Sequence, residues 1–143
     1  MRRSGFTLVE ILLSIALIGI ITGIGAVVYQ QLQGRNDLDL AATAVAQSMR
    51  RAQVLSRAMD GDTSWGVRVN TGSVILFQGT AYAARVIAYD ETTAISPALI
   101  GAGFTEVVFA KLTGLPLSTG TLTLTGPNGV RTLTLNAQGT ITY

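Results

Sequence analysis

The sequence has neither cysteine nor histidine. The commonest zinc sites, thiol and Ser-His nucleophile systems and disulfide scaffolds are therefore excluded. Acid–base chemistry could rest only on carboxylates, Lys111 or tyrosine. Charge is scarce as well, at 13% of 143 residues against 48% hydrophobic. That composition is too apolar for a disordered chain, and the length suits one domain rather than a multi-domain enzyme.

A pI near 9.4 invites a nucleic-acid or anionic-lipid partner. Of the ten basic residues, however, two are Arg2 and Arg3, and residues 1–5 hold no acid. Without them eight bases face eight acids, so the excess belongs to the extreme N-terminus and the body has no basic bias.

What is present begins with Met1-Arg-Arg-Ser-Gly5, then Phe6-Thr-Leu-Val-Glu10, then an uncharged apolar run from Ile11 to Val28. About 20 apolar residues span a bilayer core, so Phe6 to Val28 is long enough as a helix, either a transmembrane segment or a signal sequence. A basic tip before an apolar stretch fits an ordinary secretory signal, for which Gly23-Ile-Gly25-Ala26 is a loose cleavage site. Glu10 separates the two readings. A carboxylate inside an apolar segment costs roughly 2.5–3.5 kcal/mol on the insertion scale, and no basic residue at helical spacing neutralises it. A new α-ammonium, created by cutting just before Phe6, is one candidate partner.

Gly5 followed by Phe6-Thr7-Leu8-Val9-Glu10 resembles the type IV prepilin processing signal, here behind a five-residue basic leader. The likeness continues through Ile11 to Gly19 and to Tyr29. The resemblance implies that a prepilin peptidase cuts between Gly5 and Phe6 and N-methylates Phe6. Glu10 would then meet the Phe6 ammonium of a neighbouring subunit; unit charges about 4 Å apart attract by about 4 kcal/mol at an effective dielectric of 20. Major pilins often carry a proline at the position matching Val27, which is absent here. Helix weakening falls instead to Gly19, Gly23 and Gly25, each at up to about 1 kcal/mol relative to alanine. Gly19 and Gly23 also form a small-xxx-small pair that could bring helices close. Arg2 and Arg3 set the orientation, N-terminus cytoplasmic and everything after Tyr29 exported.

Beyond Tyr29 the pattern turns amphipathic. Leu38, Ala41, Ala42, Val45, Met49, Ala52, Leu55 and Met59 recur every three or four residues, predicting one buried stripe. With no proline to break it, one helix could run from about Phe6 to Met59, with Gln30–Gly34 as the place for a bend. Arg50, Arg51 and Arg57 read as its solvated face rather than a nucleic-acid contact. Asp60-Gly61-Asp62 reads as a helix-ending turn with Gly61 as left-handed cap, not as a calcium loop, whose twelfth position would be Thr71.

The rest predicts strands: Trp65–Val69 and Ser73–Phe77 around Asn70-Thr-Gly72, then Arg85–Tyr89, Glu106–Leu112, Thr121–Thr125, Val130–Leu135 and Thr140–Tyr143. Strict Leu/Thr alternation puts leucines on a buried face and threonines on a wet one. Trp65, Phe77, Phe104 and Phe109 are core candidates.

The expected fold is α+β and pilin-like: a leader at 1–5, a hydrophobic membrane and assembly helix at 6–29, its amphipathic continuation at 30–60, and an antiparallel β domain at 61–143. With Trp65 opening the first strand, Val107 to Pro116, and terminal strands around Gly129 and Gly139, the domain is similar to the GspH/FimT group of minor pilins and pseudopilins. The resemblance implies a structural subunit of a type IV pilus or type II secretion pseudopilus, minor or initiating, with no catalytic residue, metal or cofactor. Its partners would be the prepilin peptidase, other pilin or pseudopilin subunits met through the helix, and a membrane assembly platform. DNA uptake, a trait of some members of this group, is disfavoured by the lack of a basic tail. The alternatives are a major fibre subunit, an unprocessed membrane-anchored binding module, and an enzyme using Asp60/Asp62 or Asp90/Glu91.

Overall fold

A computed structural model describes residues 5–143, with the backbone alone at residues 24–27 and 30. The basic leader with Arg2 and Arg3 lies outside the described residues, as do the side-chain environment of Val27 and the surroundings of Gly25. The chain adopts the expected α+β, pilin-like class, and it divides into two compact units, Met1–Gln33 and Gly34–Tyr143.

Helix α1 runs Leu8–Arg57 without a break at Gln30–Gly34. In the second unit, its part from Gly34 onward packs against two four-stranded antiparallel sheets. One contains β1 (Trp65–Asn70), β2 (Ser73–Gln78), β3 (Glu91–Ala94) and β5 (Glu106–Phe109) in the order β3-β2-β1-β5. The other contains β4 (Ile100–Gly103), β6 (Gly120–Gly126), β7 (Gly129–Leu135) and β8 (Ile141–Thr142) in the order β4-β6-β7-β8. The helix brings Leu38, Ala41, Ala42, Val45, Ala46, Met49 and Ala52 into the core, so among its described residues four of seven buried apolar side chains are alanines. Small side chains on that stripe let the helix lie close to the sheets. Val67, Val69, Val74, Leu76, Val107 and Phe109 meet it from the first sheet, and Leu122, Leu124, Leu133 and Leu135 from the second. The leucine half of the Leu/Thr alternation is buried as expected.

The first sheet is covered on its outer side too. Phe77 is fully buried there, its ring crossing Gly66, where a Cβ would stand 2.7 Å from the Val107 carbonyl oxygen and 2.9 Å from Phe77 Cε2. Tyr82 closes over Phe77 edge-on, with ring centroids 5.6 Å apart.

Several expectations need correction. Arg85–Tyr89 is no strand; short 3-10 turns occupy Tyr82–Ala84 and Ile87–Tyr89. The Arg85 guanidinium bonds Asp90 Oδ2 at 2.7 Å, donates to the Tyr82 carbonyl and stacks 3.9 Å from the Tyr82 ring, which folds the segment onto itself. β5 stops at Phe109 because Leu112 takes a left-handed φ of 73° and its N–H turns to the Ser56 carbonyl at 2.9 Å. The first left-handed residue past α1 is Met59, φ 54°, with Gly61 left-handed inside the following turn at φ 64°. Met59 consequently leaves the buried stripe and is exposed.

Ser56, fully buried, ties the helix to the first sheet. Its hydroxyl donates to the Phe109 carbonyl at 3.0 Å and accepts the Trp65 N–H at 2.9 Å. Loop 110–116 clamps the same helix end: Gln53 Nε2 donates to the Gly114 carbonyl and Arg57 Nε to the Thr113 carbonyl. Replacing Ser56 by alanine strands a buried N–H, which costs about 1–3 kcal/mol. Ser56→Ala should therefore lower the unfolding free energy of the full chain, read by chemical denaturation in detergent, by that amount, and an unchanged value would deny the hydroxyl this role.

Candidate functional site

The residues singled out by the sequence cluster at the start of α1. Gly5, Phe6 and Thr7 precede the helix, which Thr7 caps: the Glu10 N–H donates to Thr7 Oγ1 at 3.3 Å and to the Thr7 carbonyl at 3.1 Å. Thr7-x-x-Glu10 is the spacing of a capping box, a signal present in the sequence that its reading as an uncompensated charge passed over. Glu10 lies in the first helical turn, where unsatisfied N–H groups and the helix dipole favour a carboxylate by about 0.3–1 kcal/mol. It is exposed and has no ion-pair partner among the described residues.

Two hydroxyls farther along are satisfied within the helix. Ser14 donates to the Glu10 carbonyl at 2.7 Å and Thr22 to the Ile18 carbonyl at 2.8 Å. Such i−4 bonding lets polar side chains sit in an apolar helix without an outside partner. The apolar side chains, in contrast, have no cover from their own chain: Phe6 is 80% and Leu13 70% exposed, and Leu8, Val9, Leu12, Ile15, Leu17, Ile18, Ile20 and Ile21 are exposed with them.

The glycines separate by what surrounds them. At Gly5, Gly19 and Gly23 nothing among the described residues stands within 4 Å of where a Cβ would be, and none has a left-handed φ. The folded chain itself has no need of glycine there. At Gly34 a Cβ would run into the Asn128 amide, so that glycine serves packing inside the globular unit.

Other candidates resolve into structural pairs. Asp62 bonds Lys111 at 2.5 Å, Asp90 bonds Arg85, and Glu91 bonds Arg51 at 2.6 Å. Asp90 and Glu91, adjacent in sequence, are thus drawn to different arginines rather than set facing each other. Arg57 lies along Gly114 and Arg50 points to solvent.

Among the described residues no helix is long and apolar enough to cross a membrane. The run from Ile11 to Val28, long enough as sequence, passes through residues 24–27, whose side chains are outside the described set.

The family model of the prokaryotic N-terminal methylation motif matches residues 1–26. The match covers Gly5, Phe6 and Glu10 and supports a type IV pilin-like, structural protein processed by prepilin peptidase and assembled with other pilin subunits. No curated protein and no solved structure matched the chain.

The cap offers a direct check. Thr7→Val removes the accepting oxygen, and loss of an N-cap costs about 0.5–2 kcal/mol. Amide exchange at Glu10 and Ile11, whose N–H groups bond Thr7, should quicken by about 2- to 30-fold in detergent micelles; unaltered exchange would show that Thr7 does not hold the first turn.

Proposed function

We propose that the protein is a filament subunit of the type IV pilus or type II secretion pseudopilus class, inserted in the membrane through its N-terminal helix, cut between Gly5 and Phe6, methylated on Phe6 and drawn into a filament by that helix. The observation that carries this reading is a coincidence of two independent features. The methylation-motif match at residues 1–26 falls on the stretch whose apolar side chains have no cover from their own chain. A bilayer first, and neighbouring helices afterwards, would supply it.

Gly5 fits a residue read by a peptidase, since among the described residues no contact or backbone angle calls for glycine there. Glu10 would keep the favourable end of the helix dipole while in the bilayer and gain the Phe6 ammonium of a neighbour on assembly. Open space beside Gly19 and Gly23 supports close approach of a neighbouring helix at those positions; Gly25 would extend the weakly helical stretch. Membership of the GspH/FimT group and a minor, initiating role are the finer reading, resting on the missing proline at the Val27 position and the order of the β domain. Such a subunit would lie in the cytoplasmic membrane with its globular unit outside, then in a surface or periplasmic filament. Its partners would be the peptidase, the assembly platform and other subunits.

The intact mass of the mature protein tests the processing: it should lack Met1 to Gly5 and carry one added methyl group. A membrane-bound chain that retains Met1 to Gly5 would instead be a plain signal anchor. Glu10→Ala should be processed normally yet enter filaments poorly, and incorporation at the wild-type rate would remove the charge pairing from the mechanism.

A further inference from the structure

We propose that the cavity where α1 enters the globular unit, facing the β6–β7 turn, binds the phosphodiester headgroup of a membrane lipid while the subunit is still in the bilayer. This rests on the reading of the chain as membrane-inserted before assembly. The cavity, about 260 Å³, is lined by Arg35, Leu38, Asn128, Gly129 and Arg131, all within the second unit. Leu38, buried, gives it an apolar wall, and two arginines line it. Arg131 is held in place, its Nε 2.7 Å from Asp39 Oδ1. Arg35 is exposed and has no ion pair among the described residues.

The charges match a phosphodiester. Asp39 offsets one of the two arginines, which leaves one net positive charge for a ligand with one negative charge. The planar donor edges of arginine suit phosphate oxygens better than a point cation would.

Position along the chain selects a lipid over a soluble phosphate. Arg35 is the first charged residue after Glu10, six residues beyond Tyr29, with only Gln30-Gln-Leu-Gln-Gly34 between. Six helical residues rise about 9 Å. The headgroup layer extends roughly 5–7 Å beyond the hydrocarbon on each side, and a long arginine side chain reaches back across the remainder. Tyrosine at the end of an apolar segment is itself an interfacial anchor. Nucleic-acid phosphates share the chemistry, but a concave site with one net charge, on a body of eight bases and eight acids, gives no extended basic track.

The full chain, reconstituted in nanodiscs of mixed phosphatidylglycerol and phosphatidylcholine, provides the test through native mass spectrometry of the lipids it retains. Phosphatidylglycerol should be enriched over phosphatidylcholine, and Arg35→Gln, at an exposed side chain that the fold does not use, should cut the enrichment about fivefold. Arg50→Gln, farther along the same helix and equally unpaired, should leave it unchanged. Absence of enrichment, or equal loss in Arg50→Gln, would overturn the site. Inorganic phosphate that displaces the retained lipid at millimolar levels would reassign it to soluble phosphate, and salt-sensitive binding of a DNA oligonucleotide lost in Arg35→Gln would reassign it to nucleic acid. A processed, methylated chain with no enrichment would defeat this proposal alone. An unprocessed, membrane-bound chain that keeps the arginine-dependent enrichment would defeat the filament reading and leave the lipid site standing, whereas a chain that never enters the membrane would defeat both.

Discussion

One helix has to satisfy two different surroundings, and the rest of the structure follows from how its second half is covered. From Leu38 to Ala52 the stripe on α1 is narrow and rich in alanine, so strands can approach closely and both sheets can share one helix as their core. A narrow stripe also gives little area. At about 25 cal/mol per Å² of buried apolar surface, alanines contribute less than leucines would, and the docking relies on the larger strand residues Trp65, Phe109, Leu122 and Leu133 to fill the space. The Ser56 hydroxyl fixes the sliding and rotation that such a smooth surface leaves open, because it must meet a β1 N–H and a β5 carbonyl at once. Loop 110–116 then closes over the helix end, where the Leu112 N–H donates to the Ser56 carbonyl, which also accepts the Met59 N–H.

How much of this was readable in the sequence depended on whether the signal was local. The β1–β2 and β6–β7 hairpins were legible because Asn70-Thr-Gly72 and Gly126-Pro-Asn-Gly129 mark their turns, and the alternating leucines mark the faces. The strands β3 and β4 were not. Glu91-Thr-Thr-Ala94 and Ile100-Gly-Ala-Gly103 bury almost nothing, and they are strands because β2 and β6 offer them a ladder, which is a tertiary fact. Arg85–Tyr89 failed in the opposite sense. Its β-prone composition was overridden by an ion pair and a stacked guanidinium whose partners, Asp90 and Tyr82, are chain neighbours with no pattern to announce them. Met59 shows the same limit at the helix end, since periodicity carried the stripe onto the very residue at which the backbone turns left-handed.

At the candidate site the legibility was uneven in an instructive way. Gly5, Phe6 and Glu10 form a contiguous motif and were recognisable as such. A charge without compensation is an incomplete account of Glu10, because Thr7 caps the helix start and the helix dipole favours a carboxylate in that first turn. A residue can therefore hold two roles in sequence. It stabilises the first turn when the subunit is alone, and it remains available to a cation from outside, since it is exposed and takes no ion-pair partner among the described residues.

Glycine sharpens the division between the two halves of the chain. Gly66, Gly103 and Gly126 sit where a Cβ would meet backbone or core side chains at under 3 Å; they answer to the fold. Gly19 and Gly23 meet nothing, although each weakens its helix by up to about 1 kcal/mol relative to alanine. Among the described residues that loss brings no compensating contact. If compensation exists it must come from another molecule, through a neighbour's helix lying closer than a methyl group would allow, or through a bend that insertion or extraction requires. The same reasoning applies to the apolar side chains around them, for which the described residues of the chain offer no cover.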